Sequence, residues 1–85
     1  MNSKIITRFT QIRETEKAIC CEIYMSFRGT EKKVEEWFPK SCVRISELGL
    51  IVKNFILDGK ENIFKGISVA DYLRNENGLI VSVNF

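Results

Sequence analysis

The reactive side chains of this sequence are three cysteines, because it contains no histidine. Cys20 and Cys21 are adjacent. Neighbouring residues of a strand point to opposite faces, so these thiols cannot share a metal ion or form an easy disulfide. The absence of histidine removes Ser-His and Cys-His nucleophiles and most catalytic zinc sites. We therefore interpret Cys21 as a small core side chain and predict no metal site.

Paired carboxylates are the next candidates for chemistry, and Glu35 and Glu36 directly precede the single tryptophan, Trp37. On a strand these two carboxylates point apart, which rules out a proton shared between them. Gly59 and Gly66 do not form a phosphate-binding glycine pattern, and no calcium-loop spacing occurs. We predict that the protein is not an enzyme and uses no cofactor.

Aromatic and basic residues near Trp37 form the strongest candidate for a binding site. If this segment is a strand, either Trp37 or Phe38 faces away from the core. An exposed aromatic ring beside cations can stack on bases or anchor a protein partner; a core buried on both faces is the alternative explanation. The charged segment 28–33 adds possible phosphate contacts, with simple solvation as its alternative. The predicted partner-binding residues are Tyr24, Arg28, Lys32, Lys33, Trp37, Phe38 and Lys40.

Composition predicts that these residues belong to a single domain, 1–85. Apolar residues make up 45% and charged residues 28% of the chain, as in ordinary globular proteins. The net charge of +2 indicates neither a polybasic nucleic-acid binder nor an acidic mimic of DNA. The odd cysteine count, the lack of a signal-peptide pattern and the lack of a long apolar run predict a cytoplasmic protein without membrane contact. Composition leaves the oligomeric state open.

Alternating apolar residues predict the strands that carry the candidate site. The clearest strand is Ala18–Phe27, whose odd-numbered residues form one apolar face. We expect that face to be buried together with Leu79, Val81 and Val83. Further strands are predicted at Ile5–Arg13, Val34–Phe38, Cys42–Leu48 and Leu79–Phe85, with a turn at Glu14–Lys17 and a long hairpin loop at Arg28–Lys33.

Two further segments complete the secondary structure. Gly49–Leu57 fits a buried strand or a helical face, and the Asp58-Gly59 turn that follows favours the strand. Val69–Glu76 is predicted as a helix, with Ser68 as its N-cap and Gly78 beyond its C-terminus. The expected fold is α+β and mainly β: a small bent antiparallel sheet or partly open barrel, with one short helix near the C-terminus.

Three segments of the chain resemble small proteins of phages and other mobile elements. They are Glu16–Ile23, the stretch Glu36-Trp37-Phe38-Pro39-Lys40-Ser41, and Val69–Leu73 with Gly78-Leu79-Ile80. The resemblance implies a phage or mobile-element accessory protein and carries no settled activity. We therefore predict a non-enzymatic protein-binding module, such as an inhibitor of a host defence complex. A single-stranded nucleic-acid-binding domain is the alternative.

Overall fold

The described part of the chain forms two main antiparallel sheets with two short helices. The computed structural model describes residues 2–60, 63–64, 66–75 and 80–82. Its strands are β1 (Asn2–Ile6), β2 (Phe9–Glu14), β3 (Ala18–Phe27), β4 (Thr30–Pro39), β5 (Val43–Ser46), β6 (Gly49–Lys53), β7 (Ile63–Phe64), β8 (Ile67–Ser68) and β9 (Ile80–Ser82), and its helices are α1 (Asn54–Leu57) and α2 (Val69–Asn75). The sheet orders are β5-β6-β1-β9 and β2-β3-β4, with β7 and β8 as a separate pair. The predicted α+β, mainly β class is confirmed, and the sheets do not close into a barrel.

One core cluster joins the two main sheets and both helices. The predicted apolar face of β3 is confirmed, since Ile19, Cys21, Ile23 and Met25 are all buried. These residues pack in one cluster with side chains of β1, β4, β6, α1 and α2. The expected burial of Phe27, Leu79, Val81 and Val83 concerns side chains outside the described part of the structure.

The β3–β4 hairpin differs from the prediction in the length of its turn. Arg28 and Gly29 alone form the turn, with φ of 49° and 77°, as in the two-residue turns that match the twist of paired strands. The predicted loop over Arg28–Lys33 is therefore wrong, because β4 already begins at Thr30. Thr30–Lys33 is exposed on both faces of the strand, so its sequence shows no apolar alternation.

The predicted first strand, Ile5–Arg13, is in fact two strands in different sheets. β1 ends at Ile6, and β2 begins at Phe9 as an edge strand beside β3. Residues 3–6 are all buried, so both faces of β1 are covered and the apolar pattern does not alternate. A bulge in β2 between Gln11 and Arg13 disturbs the pattern further.

The described residues of the C-terminal half form two helices where one was predicted. The ambiguous segment Gly49–Leu57 divides into strand β6 and the single turn α1, so each alternative is correct for half of it. The predicted strand Cys42–Leu48 is shorter, because a 3-10 turn occupies Lys40–Cys42 and β5 covers only Val43–Ser46.

Helix α2 begins where its cap predicts. The Ser68 hydroxyl accepts a hydrogen bond from the Asp71 backbone N–H at 3.1 Å, which confirms Ser68 as the N-cap. Val69, Tyr72 and Leu73 are buried. The Tyr72 hydroxyl accepts a hydrogen bond from the Ser26 backbone N–H at 2.7 Å. The predicted last residue, Glu76, and the predicted C-terminal Gly78 lie outside the described residues.

A buried lysine fixes the end of α2 over the four-stranded sheet. Lys4 lies on β1, is almost fully buried, and donates from Nζ to the Arg74 carbonyl at 2.6 Å. The last carbonyls of a helix lack partners within the helix and carry its partial negative charge, so a cation there is stabilising. Nothing in the sequence near Lys4 predicts this contact, because the two residues are 70 positions apart.

Candidate functional site

The two faces of the β2-β3-β4 sheet have opposite characters. The inner face packs on the core and carries Val34, Glu36 and Phe38 of β4, whereas the outer face carries the alternate residues and is open to solvent. Trp37 lies on the outer face and is 43% exposed. Phe38 is fully buried, so its prediction as a partner-binding residue is wrong: its ring is part of the core.

Trp37 lies at the end of a row of outer-face side chains that crosses the sheet. Cys20 on β3 is opposite Trp37 on β4, and Arg13 on β2 is opposite Cys20. Cys20 is fully buried although it faces outward, since it is the central residue of this row. Burial and the nearby Glu35 carboxylate raise the pKa of the Cys20 thiol, against the opposing effect of Arg13. The row therefore presents an indole ring and a guanidinium group to solvent over a protonated thiol.

The cations of the outer face are paired with carboxylates of the same face. Arg13 contacts Glu35 at 3.0 Å, and this carboxylate raises the pKa of the guanidinium. Lys33 lies 3.9 Å from Glu22. Near the hairpin turn, Arg8 lies 3.5 Å from Glu31. Three cations and three carboxylates thus balance, and the local charge does not resemble a phosphate-binding groove.

Four of the predicted residues lie toward the hairpin turn, well away from Trp37. Lys33 is opposite Tyr24, and its ammonium lies 5.4 Å from the centre of the Tyr24 ring. Arg28 occupies the turn itself. A shallow cavity of about 110 Å³ is lined here by Arg8, Tyr24, Met25, Glu31, Lys32 and Lys33. Lys33 and Trp37 are four residues apart, roughly 13 Å at about 3.3 Å per strand residue.

Lys40 lies at the other end of β4, near Trp37 in sequence. Its backbone N–H donates to the Lys17 carbonyl at 2.8 Å, which extends the β3–β4 pairing past Pro39. Its ammonium forms an ion pair with Glu14 of β2, and this contact lowers the pKa of the Glu14 carboxyl. The predicted site residues therefore form two separate groups, one around Trp37 and one around Tyr24.

Lys60 contacts the backbone of Trp37 and the side chains of its two neighbours, a cluster that the sequence does not predict. Lys60 donates from Nζ to the Trp37 carbonyl at 2.6 Å and lies 3.4 Å from the Glu36 carboxylate. The same ammonium lies 4.7 Å from the centre of the Phe38 ring. The Lys60 and Glu36 side chains are only 14% and 9% exposed. Lys60 follows α1 and is 23 residues from Trp37, so only the tertiary structure brings them together.

Cys20 and Cys21 have the properties of structural residues. All three are free thiols, and Cys20 and Cys21 are buried. Burial raises the pKa of the Cys21 thiol from 9.0 to about 11, with a further contribution from Cys20. A thiol with so high a pKa is almost entirely protonated at neutral pH and is a poor nucleophile or metal ligand.

Among the described residues, no group of three or more cysteine or carboxylate side chains is arranged to hold a metal ion. No helix formed by these residues is long and apolar enough to cross a membrane.

Comparison of the chain with protein-family models, curated proteins and solved structures finds no match. The similarity to phage and mobile-element proteins remains a prediction from the sequence.

Proposed function

We propose that the protein is a non-enzymatic protein-binding module whose partner docks on the outer face of the three-stranded sheet, around Trp37. The observation that supports this most is the half-exposed indole on a face where the preceding exposed residues of β4 are charged. Tryptophan is enriched among residues that dominate binding energy in protein interfaces. Lys60 donates to the Trp37 carbonyl and so adds a contact that fixes the backbone at this residue, which favours a preorganised surface.

The charge of the outer face favours a protein over a nucleic acid. Arg13 and Lys33 have carboxylate neighbours, so phosphate groups would compete with Glu35 and Glu22 and meet their negative charge. Tyr24 and Trp37 are the observation in favour of the alternative, a single-stranded nucleic-acid-binding domain, since aromatic rings can stack on bases. These two rings lie in the two separate groups of candidate residues.

The biological setting rests on the sequence alone. The resemblance supports an accessory protein of a phage or mobile element, and an inhibitor of a host defence complex is one module of this kind. Such a protein would act in the cytoplasm. The three free thiols are compatible with that reducing compartment.

Fluorescence of the single tryptophan tests the alternative directly, since Trp37 is the only indole in the chain. We expect titration with single-stranded oligonucleotides at two salt concentrations to leave its emission unchanged. Saturable quenching that weakens steeply with salt would instead support the nucleic-acid-binding domain.

Affinity capture from host-cell extract, with matched variants, tests the protein-binding surface. Trp37→Ala is compared with Phe55→Ala, which removes another exposed aromatic ring, 57% exposed and located on α1. We expect the wild-type protein and Phe55→Ala to retain the same partner and Trp37→Ala to lose it. Equal capture by all three proteins would contradict a role for the outer face.

A further inference from the structure

The outward edge of β4 is open in the described part of the structure, where β4 pairs only with β3. The two-residue turn places Thr30 opposite Phe27, and the register continues to Pro39 opposite Ala18. In such a hairpin the residues that flank the turn exchange hydrogen bonds, and bonded pairs then alternate along the ladder. Even-numbered residues of β4 therefore bond to β3, and the Lys40 N–H bonded to the Lys17 carbonyl continues this alternation.

The odd-numbered residues of β4 direct their backbone groups to the open edge. Glu31, Lys33, Glu35 and Trp37 are these residues, and their side chains are all exposed. The Trp37 carbonyl confirms the direction, because Lys60 reaches it from outside the sheet. The N–H and C=O groups of Glu31, Lys33 and Glu35 thus form a template onto which another strand can pair.

The sequence along this edge is complementary to itself when read in the opposite direction. Residues 32–36 are Lys-Lys-Val-Glu-Glu. If a second copy of β4 lies antiparallel with Val34 opposite Val34, each Lys33 faces Glu35 of the other copy. Glu36, which lies opposite Lys32 in this register, is largely buried and already contacts Lys60, so the exposed complementarity is that of Lys33 and Glu35. The Lys33–Glu35 pairs are also those whose backbone groups face the open edge, so charge and hydrogen bonding favour the same register.

In registers shifted from this one, charge pairing and backbone hydrogen bonding no longer favour the same arrangement. The hydrogen-bonding alternation permits only shifts that keep odd-numbered residues opposite each other. A shift in one direction places Lys33 opposite Lys33 and Glu31 opposite Glu35; a shift in the other places Glu35 opposite Glu35. Like charges directly opposite each other are destabilising. Pro39 has no N–H to donate at this edge, and the Trp37 carbonyl already accepts from Lys60, so the complete hydrogen-bonded pairs are the two between Lys33 and Glu35.

We propose that the protein forms a homodimer through antiparallel pairing of β4 with β4 of a second copy, centred on Val34. Charged residues on an edge strand usually oppose pairing with other chains. Here the positive residues precede the negative ones, so an antiparallel copy of the same strand places opposite charges next to each other. The dimer has a continuous six-stranded sheet and carries two Trp37 side chains on one outer face. Because it uses the backbone edge and not the indole ring, it is independent of the proposed partner-binding function.

Variants with reversed charges at residues 33 and 35 test the dimer. Analytical ultracentrifugation measures the dimer Kd at concentrations up to about 1 mM, which detects a Kd as weak as about 1 mM. Lys33→Glu alone places two carboxylates opposite each other at both symmetric positions, and Glu35→Lys alone does the same with two ammonium groups. We expect each variant to raise the dimer Kd by roughly 30-fold or more. The double variant, Lys33→Glu with Glu35→Lys, restores opposite charges between the two copies. It also loses the contacts of these residues with Glu22 and Arg13 within each copy, so we expect it to recover most of the wild-type affinity.

Mixing the two single variants gives the most selective result. In an equimolar mixture, Lys33→Glu and Glu35→Lys present opposite charges to each other at both positions, so we expect a heterodimer where neither variant associates alone. Lys17→Glu and Glu47→Lys are the controls, because they make the same charge changes on exposed turns. Both controls should dimerise normally.

Three results would overturn the proposal: a wild-type monomer throughout the concentration range, a dimer unaffected by either single variant, or no association in the mixture. Circular dichroism of each variant establishes that it is folded. Trp37→Ala should still dimerise, so a failure of the dimer and a failure of the partner-binding surface are distinguishable.

Discussion

Trp37 and Phe38 are consecutive aromatic residues of one strand and have opposite environments. The Phe38 ring is fully buried, whereas the Trp37 ring is 43% exposed on the polar outer face. The difference arises from the pleat of β4, since alternate residues point to opposite faces and only one face meets the core. The inner face therefore contributes to stability, and the outer face is available for binding.

Phe38→Ala should produce the largest loss of stability. Removing a fully buried aromatic side chain costs about 3–5 kcal/mol, because the apolar transfer free energy is lost and a cavity remains. A loss of this size would unfold much of so small a domain. Chemical denaturation measures the free energy of unfolding, and the exposed Phe55→Ala serves as the control with an expected change near zero. Equal losses in the two variants would contradict the assignment of Phe38 to the core.

Lys60→Met should produce the second largest loss. The substitution removes the ammonium that contacts Glu36 and the Trp37 carbonyl, while it retains most of the apolar volume. Removing one member of a largely buried ion pair costs about 2–3 kcal/mol here, somewhat below the range for fully buried pairs. The double variant with Glu36→Gln should recover part of this loss in a double-mutant cycle. Additive effects of the two substitutions would show that the ion pair is not coupled.

Alkaline pH should destabilise the inner face through Cys21. Burial raises its pKa from 9.0 to about 11 in the folded protein, so the folded state favours the protonated thiol. This contribution is complete below pH 9.0 and is lost as the pH rises through about 11, because the unfolded chain releases the proton first. We expect the free energy of unfolding to decrease less steeply across this interval in Cys21→Ala than in the wild-type protein. Identical slopes would contradict the assignment.

Trp37→Ala should have the smallest effect on stability and a large effect on binding. The ring is nearly half exposed, so we expect a loss of about 1 kcal/mol or less in thermal or chemical denaturation. The partner captured by the wild-type protein should no longer be retained. A stability loss close to that of Phe38→Ala would remove the distinction between the two faces, and with it the main support for a binding surface at Trp37.

Side-chain periodicity within single elements was the most predictable part of the fold. The alternation of β3 correctly gave its bounds and its buried face, and the Ser68 cap gave the start of α2. The same reasoning failed for strands that do not have one buried face and one exposed face. β1 is covered on both faces and the start of β4 is exposed on both, so their boundaries were predicted wrongly. The sequence left the orientation of Trp37 and Phe38 open, and the structure exposes Trp37 and buries Phe38.

The sequence by itself determined the class of the fold, the strand Ala18–Phe27, the cap of α2 and the self-complementary order of charges at residues 32–36. All of these depend on residues close together in the chain. Tertiary structure decided which aromatic residue faces solvent, how Lys60 supports Trp37, and which backbone groups of β4 reach the open edge. These features depend on strand register and on contacts between distant segments. Local periodicity cannot specify such contacts, because a shift of one residue exchanges the two faces of a strand without changing its sequence.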